Sequence, residues 1–123
     1  MISLFGPSAL PDSNAIITAV SNDFGYEEIF VRQLRVLGKA GNVVVSISDS
    51  GNSPNLIRSL EYAKSISIKT LAITAFDGGK MKQIADEGIH VLTAPKEYGP
   101  TEDAHMVMDH LVSAYLMRVI KNG

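Results

Sequence analysis

Apolar positions in this chain alternate between short continuous runs and stripes at helical spacing. Ile2 to Phe5 is a brief run stopped by Gly6-Pro7 and predicts a strand. Ser8 to Asn14 carries turn residues around Pro11, and Asp12 or Ser13 is placed to cap the next helix. Ala15 to Val20 predicts that helix, and Ser21-Asn22-Asp23-Phe24-Gly25 breaks it. From Tyr26 to Leu37, Ile29, Phe30, Leu34 and Leu37 recur at helical spacing, with Gly38 as the stop. Val43 to Ile47 is β-branched apart from Ser46 and reads as a buried strand leading into the loop Ser48–Ser53. Leu56, Leu60, Ala63 and Ile66 then form a helical stripe, with Arg58, Glu61 and Lys64 on the other faces. Lys69 to Ala75 predicts a strand, Phe76 to Gly79 a turn, Lys80 to Glu87 a short helix ending at Gly88, and Ile89 to Leu92 a last strand. After the loop Thr93–Gly99, a closing helix is predicted from Thr101 or Glu102 to about Ile120. Alternating strands and helices imply an α/β fold with right-handed crossovers and a mostly parallel sheet.

Composition narrows the class without naming a function. The 123 residues suit one domain, 1–123, and 46% hydrophobic with 20% charged residues is ordinary for a globular protein. A net charge of −2 offers no electrostatic reason to bind nucleic acid. No apolar run is long enough to span a bilayer, no secretory pattern is visible after Met1, and there is no cysteine for disulfides or thiolate metal sites. These features are compatible with a cytoplasmic location.

The chemistry concentrates in Ser48-Asp49-Ser50-Gly51-Asn52-Ser53-Pro54. A strand ends there and a helix begins, with Ser53 suited to the N-cap and Pro54 to the first turn. The start of a helix presents unpaired N–H groups and the positive end of its dipole, which favour anions. Three hydroxyls add uncharged donors, more than a cap requires, so the loop reads as a phosphate site rather than a plain connection. On open α/β sheets ligands sit past the carboxyl ends of the strands, where this loop lies. The closing helix carries Glu102, Asp103, His105, Asp109 and His110. Glu102 and His110, eight residues apart, share roughly one side, while His105 points well away from His110. Such groups bind metal or move protons, or else form a solvated acidic first turn. Met81, Met106, Met108 and Met117 read as packing, Tyr26 and Phe30 as core or interface, His90 as structural, and Gly78-Gly79-Lys80 as a turn.

Four segments together resemble the sugar isomerase (SIS) domain family, and more narrowly its phosphoheptose isomerase branch. They are Ser21–Glu28, Ser48–Asn55, Asp77–Met81 and the helix holding Glu102 and His110. The resemblance covers nearly the whole chain. It implies a flavodoxin-like three-layer sandwich with a mostly parallel sheet. It also implies that Ser48, Ser50 and Ser53 hold the phosphate of a sugar phosphate, that Asp23 contacts sugar hydroxyls, and that His110 is catalytic. Glu102 stands where the family often has Gln, and with His110 it would be the chain's share of a zinc site. Asp49 stands where the family usually has Thr or Ser; a carboxylate beside a phosphate repels it unless it turns away. The implied reaction converts sedoheptulose 7-phosphate to D-glycero-D-manno-heptose 7-phosphate through an enediol, as in the supply of lipopolysaccharide precursors. The implied assembly is a homo-oligomer, a tetramer in the family, with neither nucleic acid nor membrane as partner.

The chain departs from the family at its N-terminal side. It starts near the family's second strand, without the usual leading helix, first strand, glycine-rich serine loop and catalytic Glu. On that reading a strand is missing between Ile2–Phe5 and Val43–Ile47, leaving open edges and half of the acid/base pair and zinc site absent. A partial chain, a truncated product and a rearranged or intertwined oligomer are the three expectations. Two rival functions stand beside the isomerase: a non-catalytic SIS protein that binds a partner, as replication-initiator-associating members do, and a sugar-phosphate sensor.

Overall fold

The structure, a computed structural model, describes residues 2–4 and 8–123, with side chains described from residue 9 onward. Strand β1 (Ile2–Leu4) and strand β2 (Ser8–Ala9) precede helix α1 (Asn14–Phe24) and helix α2 (Ile29–Leu37). Then come β3 (Val43–Ser48), α3 (Pro54–Ser65), β4 (Lys69–Ala75), α4 (Gly79–Ile84), β5 (Glu87–Val91) and α5 (Tyr98–Asn122). The sheet order is β2-β1-β3-β4-β5. Strands β3, β4 and β5 are parallel, with Ser48 opposite Thr74 and Thr74 opposite His90, as the alternating pattern requires.

Strand β1 corrects one expectation. It pairs directly with β3, antiparallel, placing Ile2 opposite Ser46 and Leu4 opposite Val44, and it pairs with β2 on its other side. No gap therefore lies between β1 and β3 among the described residues. The physical reason is the demand of β3's backbone N–H and C=O groups for partners, which β1 meets. Phe5 and the Gly6-Pro7 stop fall outside the described residues.

One face of the sheet carries the core. Val44 and Ala72 point from β3 and β4 toward Phe30 and Leu34 of α2 and Leu56 and Leu60 of α3, all buried together with Met81. Val45, Ile47 and Leu71, on the opposite face, are only half-buried. Helix α5 extends 25 residues but buries only Thr101. Its base is held by an edge-on contact of Tyr98 with Phe76, centroids 5.4 Å apart, and by the Thr93–Thr101 hydroxyl pair at 2.8 Å. Among the described residues no helix is long and apolar enough to cross a membrane.

Several boundaries differ from the sequence expectation for local reasons. Ser13 caps α1 by accepting the Ile16 N–H at 3.3 Å, and the helix continues through Ser21-Asn22-Asp23 to Phe24. Those polar residues lie in its last, mostly exposed turn, where they cost little, and Gly25 at φ 99° ends it. The stretch from Tyr26 opens as a 3-10 turn before α2 begins at Ile29. Helix α4 stops at Ile84 because Asp86 is drawn into a clasp with Thr70. The Asp86 carboxylate accepts the Thr70 N–H and hydroxyl, both at 2.9 Å, and the Asp86 N–H donates to that hydroxyl. Glu87 and Gly88 consequently join β5 rather than a helix. Helix α5 begins at Tyr98, ahead of Thr101.

Candidate functional site

The loop after β3 is built by backbone packing against backbone. Gly51 has φ 67°, and a Cβ there would lie 2.0 Å from the carbonyl oxygen of Gly78. A Cβ on Gly79 would lie 2.4 Å from the carbonyl oxygen of Ser50. The Met81 N–H donates to the Gly51 carbonyl at 2.9 Å, and the Lys80 N–H to Asn52 Oδ1 at 3.0 Å. The Gly78-Gly79-Lys80 turn is thus the bed on which the serine loop lies.

Within the loop, Ser48 Oγ accepts the Gly51 N–H at 3.2 Å and lies 3.4 Å from Ser53 Oγ. Ser50 Oγ accepts the Asn52 N–H at 3.3 Å. Ser53 occupies the N-cap position of α3, yet its side chain accepts no helix N–H. Asn55 Oδ1 takes the Leu56 N–H instead, at 2.8 Å. The Ser48 and Ser53 hydroxyls therefore form a pair at the head of a 12-residue helix, near the positive end of its dipole. A cleft of about 340 Å³ opens there, lined by Tyr26, Glu27, Phe30, Ile47, Ser53 and Asn55 among others. Such a setting suits a tetrahedral anion with a polar body attached. The larger groove, about 490 Å³ between α1 and α2, is almost wholly apolar and includes none of the loop residues.

The structure gathers Ser48, Asp49, Ser50 and Ser53 in one loop, and among the described residues Asp23, Glu102 and His110 make no hydrogen bond or ion pair to it. Asp23 is exposed near the end of α1 and accepts a hydrogen bond from Asn22 Nδ2 at 3.0 Å. Glu102 and His110 are exposed on α5. The residue α5 turns toward the loop is His105, whose Nδ1 lies 3.4 Å from Asp49 Oδ1. Five residues on an α-helix is a rotation of about 140° beyond a full turn, so His105 and His110 cannot share a face. The buried Thr101 marks the inward line, and His105 follows it by four. That register left no signal in the sequence, because the burial of Thr101 follows from packing and not from any local pattern.

Glu27 is the other residue that sequence reasoning did not single out. It lines the cleft, with one carboxylate oxygen 3.8 Å from an Arg58 guanidinium nitrogen. Arg58 also pairs with Glu28.

Zinc takes four ligands in structural sites and three protein ligands plus water in catalytic ones. Glu102 and His110 supply two donors, with Cα positions about 12 Å apart along the helix axis. Among the described residues no group of three or more His, Cys, Asp or Glu side chains is placed to hold a metal. The described residues do not by themselves make a zinc site.

A family model described as "SIS domain" matches residues 16–117. A phosphoheptose isomerase of Helicobacter pylori (strain Shi470) is 37% identical over 115 residues, covering 93% of this chain and 58% of the relative. One from Akkermansia muciniphila is 37% identical over 115 residues, covering 94% of this chain and 60% of the relative. Among solved structures, the phosphoheptose isomerase GmhA from Neisseria gonorrhoeae superposes with a TM-score of 0.77 at 32% identity, over 85% of this chain and 58% of that one. A phosphoheptose isomerase from Francisella tularensis gives a TM-score of 0.76 at 28% identity, over 84% and 56% of the two chains. The chain spans less than two thirds of the length of these relatives.

Proposed function

This chain belongs to the SIS domain family, and on that premise we propose that it is a phosphoheptose isomerase-like protein whose Ser48–Ser53 loop holds the phosphate of sedoheptulose 7-phosphate. One observation carries the reading: the Ser48–Ser53 hydroxyl pair at the head of α3, beside a cleft in which Glu27, Ser53 and Asn55 stand among apolar neighbours. The similarity to proteins named phosphoheptose isomerase supports it.

The chemistry is an aldose–ketose isomerisation to D-glycero-D-manno-heptose 7-phosphate. A base removes the proton beside the carbonyl, the enediol forms, and an acid returns a proton to the neighbouring carbon. In this reading Ser48, Ser50 and Ser53 fix the phosphate and Asp23 meets sugar hydroxyls. His110 is the imidazole for proton transfer, a side chain type able to both take and give a proton, and Glu102 lies two turns earlier on the same helix. Asp23, Glu102 and His110 are exposed and make no hydrogen bond or ion pair to the loop among the described residues, and in this reading a further chain completes the site around them. We therefore expect a homo-oligomer, a tetramer by family resemblance, working in the cytoplasm.

Turnover of sedoheptulose 7-phosphate by this chain, measured with and without added zinc, tests the proposal. Phosphate-ester binding with very slow turnover is the expected result. Absence of any sugar-phosphate binding would overturn it, and binding of a protein partner without sugar phosphate would favour a non-catalytic role.

A further inference from the structure

The loop that grips the anion in the proposed function contains one charged side chain, and it has the wrong sign. Asp49 lies between Ser48 and Ser50, and no Lys or Arg occurs from Ser48 to Ser53. Two nearby cations are already engaged: Lys80 Nζ pairs with Glu61 at 2.8 Å, and Arg58 pairs with Glu27 and Glu28. A phosphate ester bound here meets hydroxyls, N–H groups and one carboxylate.

The Asp49 carboxylate faces His105. Nδ1 of the ring is 3.4 Å from Oδ1, and the imidazole is nine-tenths buried, with 10% of its side chain exposed. Its other nitrogen, Nε2, is buried and has no hydrogen-bond partner among the described residues. A buried polar atom without a partner costs stability. If the position only filled space, an apolar side chain of similar size would avoid that cost. What the imidazole adds is its contact with Asp49.

We propose that His105 is a positioning residue for the anion loop: it holds the Asp49 carboxylate on the α5 side, away from the anion, so that the loop accepts a phosphate ester. This rests on the loop being the phosphate site. It assigns to His105 a task distinct from proton transfer, and to α5 a direct hold on the loop. Asp49 is then a restrained neighbour of the ligand and makes no attractive contact with it.

The test is a double-mutant cycle on the full chain, with inorganic phosphate and sedoheptulose 7-phosphate as probes, by calorimetry at fixed pH and ionic strength. His105→Gln is expected to weaken binding roughly tenfold, because the carboxylate is released toward the anion. Asp49→Asn removes the charge and is expected to tighten binding roughly threefold. In the Asp49→Asn background, His105→Gln should change affinity by less than about twofold, since nothing is left to restrain. Thermal melts of each variant report folding separately. A merely structural His105 would cost the same affinity in both backgrounds, and that result overturns the assignment. Should His105→Gln fail to fold, Asp49→Asn alone decides: weaker phosphate binding would make Asp49 a ligand contact and overturn it. If neither the unsubstituted chain nor Asp49→Asn binds either probe, the phosphate reading itself fails and takes this assignment with it.

Discussion

Gly51 and Ser53 show how much of the loop's behaviour is set by single atoms. At φ 67°, with the Gly78 carbonyl 2.0 Å from where its Cβ would sit, Gly51 tolerates no side chain without moving the α4 turn. Gly51→Ala is expected to destabilise the chain by about 2–4 kcal/mol, read by urea unfolding, since strain and overpacking add. A loss below about 0.5 kcal/mol would mean the two turns do not interlock. Ser53 is a different kind of position, because its hydroxyl caps nothing. Ser53→Ala should therefore leave the melting temperature nearly unchanged while weakening sugar-phosphate binding by about 1.5–3 kcal/mol, the worth of a hydrogen bond to a charged group. An unchanged affinity would move the anion elsewhere. The three serines were legible from the sequence because their chemistry is local. The side of α5 that meets them was not, because it depends on which residue packs first against the sheet. Thr101 sets that phase, and it brings His105 rather than His110 to Asp49.

Among the elements, the parallel strands were the most readable, since continuous β-branched runs have few alternatives. Strand β4 falls at Lys69–Ala75, where the pattern predicts it. Boundaries moved where a side chain competes with backbone periodicity, and Asp86 is the clearest example. Its carboxylate, held by the Thr70 N–H and hydroxyl and then by Lys64 at 3.4 Å, titrates below the ordinary aspartate range. The folded state thus favours the charged form more than the unfolded chain does. The resulting stability is present above the unfolded pKa, about 3.9, and is lost as pH falls through the lower folded value. Asp86→Asn is expected to unfold at lower urea than the unsubstituted chain at pH 7, with the gap narrowing by pH 3. An equal gap at both pH values would mean that the charge of Asp86 contributes nothing. Pairing of β1 with β3 was not legible, because register between distant segments leaves no periodic trace in either one.

At the scale of the whole molecule, apolar surface is unevenly distributed. Leu111, Val112, Tyr115, Met117 and Ile120 of α5 are all exposed, as are Val36 and Leu37 beside the α1–α2 groove. Large apolar patches mark association sites, and α5 and the α1–α2 groove each offer apolar side chains for one. Light scattering at micromolar concentration is expected to give a mass of at least twice 13.2 kDa. A monomeric mass would remove the oligomer from the proposal. The long closing helix is held near its base by Tyr98, Thr101 and His105. A rod of 25 residues, about 37 Å long, fixed at one end, is a lever: a tilt of about 5° at the fulcrum swings the tip by roughly 3 Å. Whatever grasps the free end therefore aims His110, about halfway along the arm.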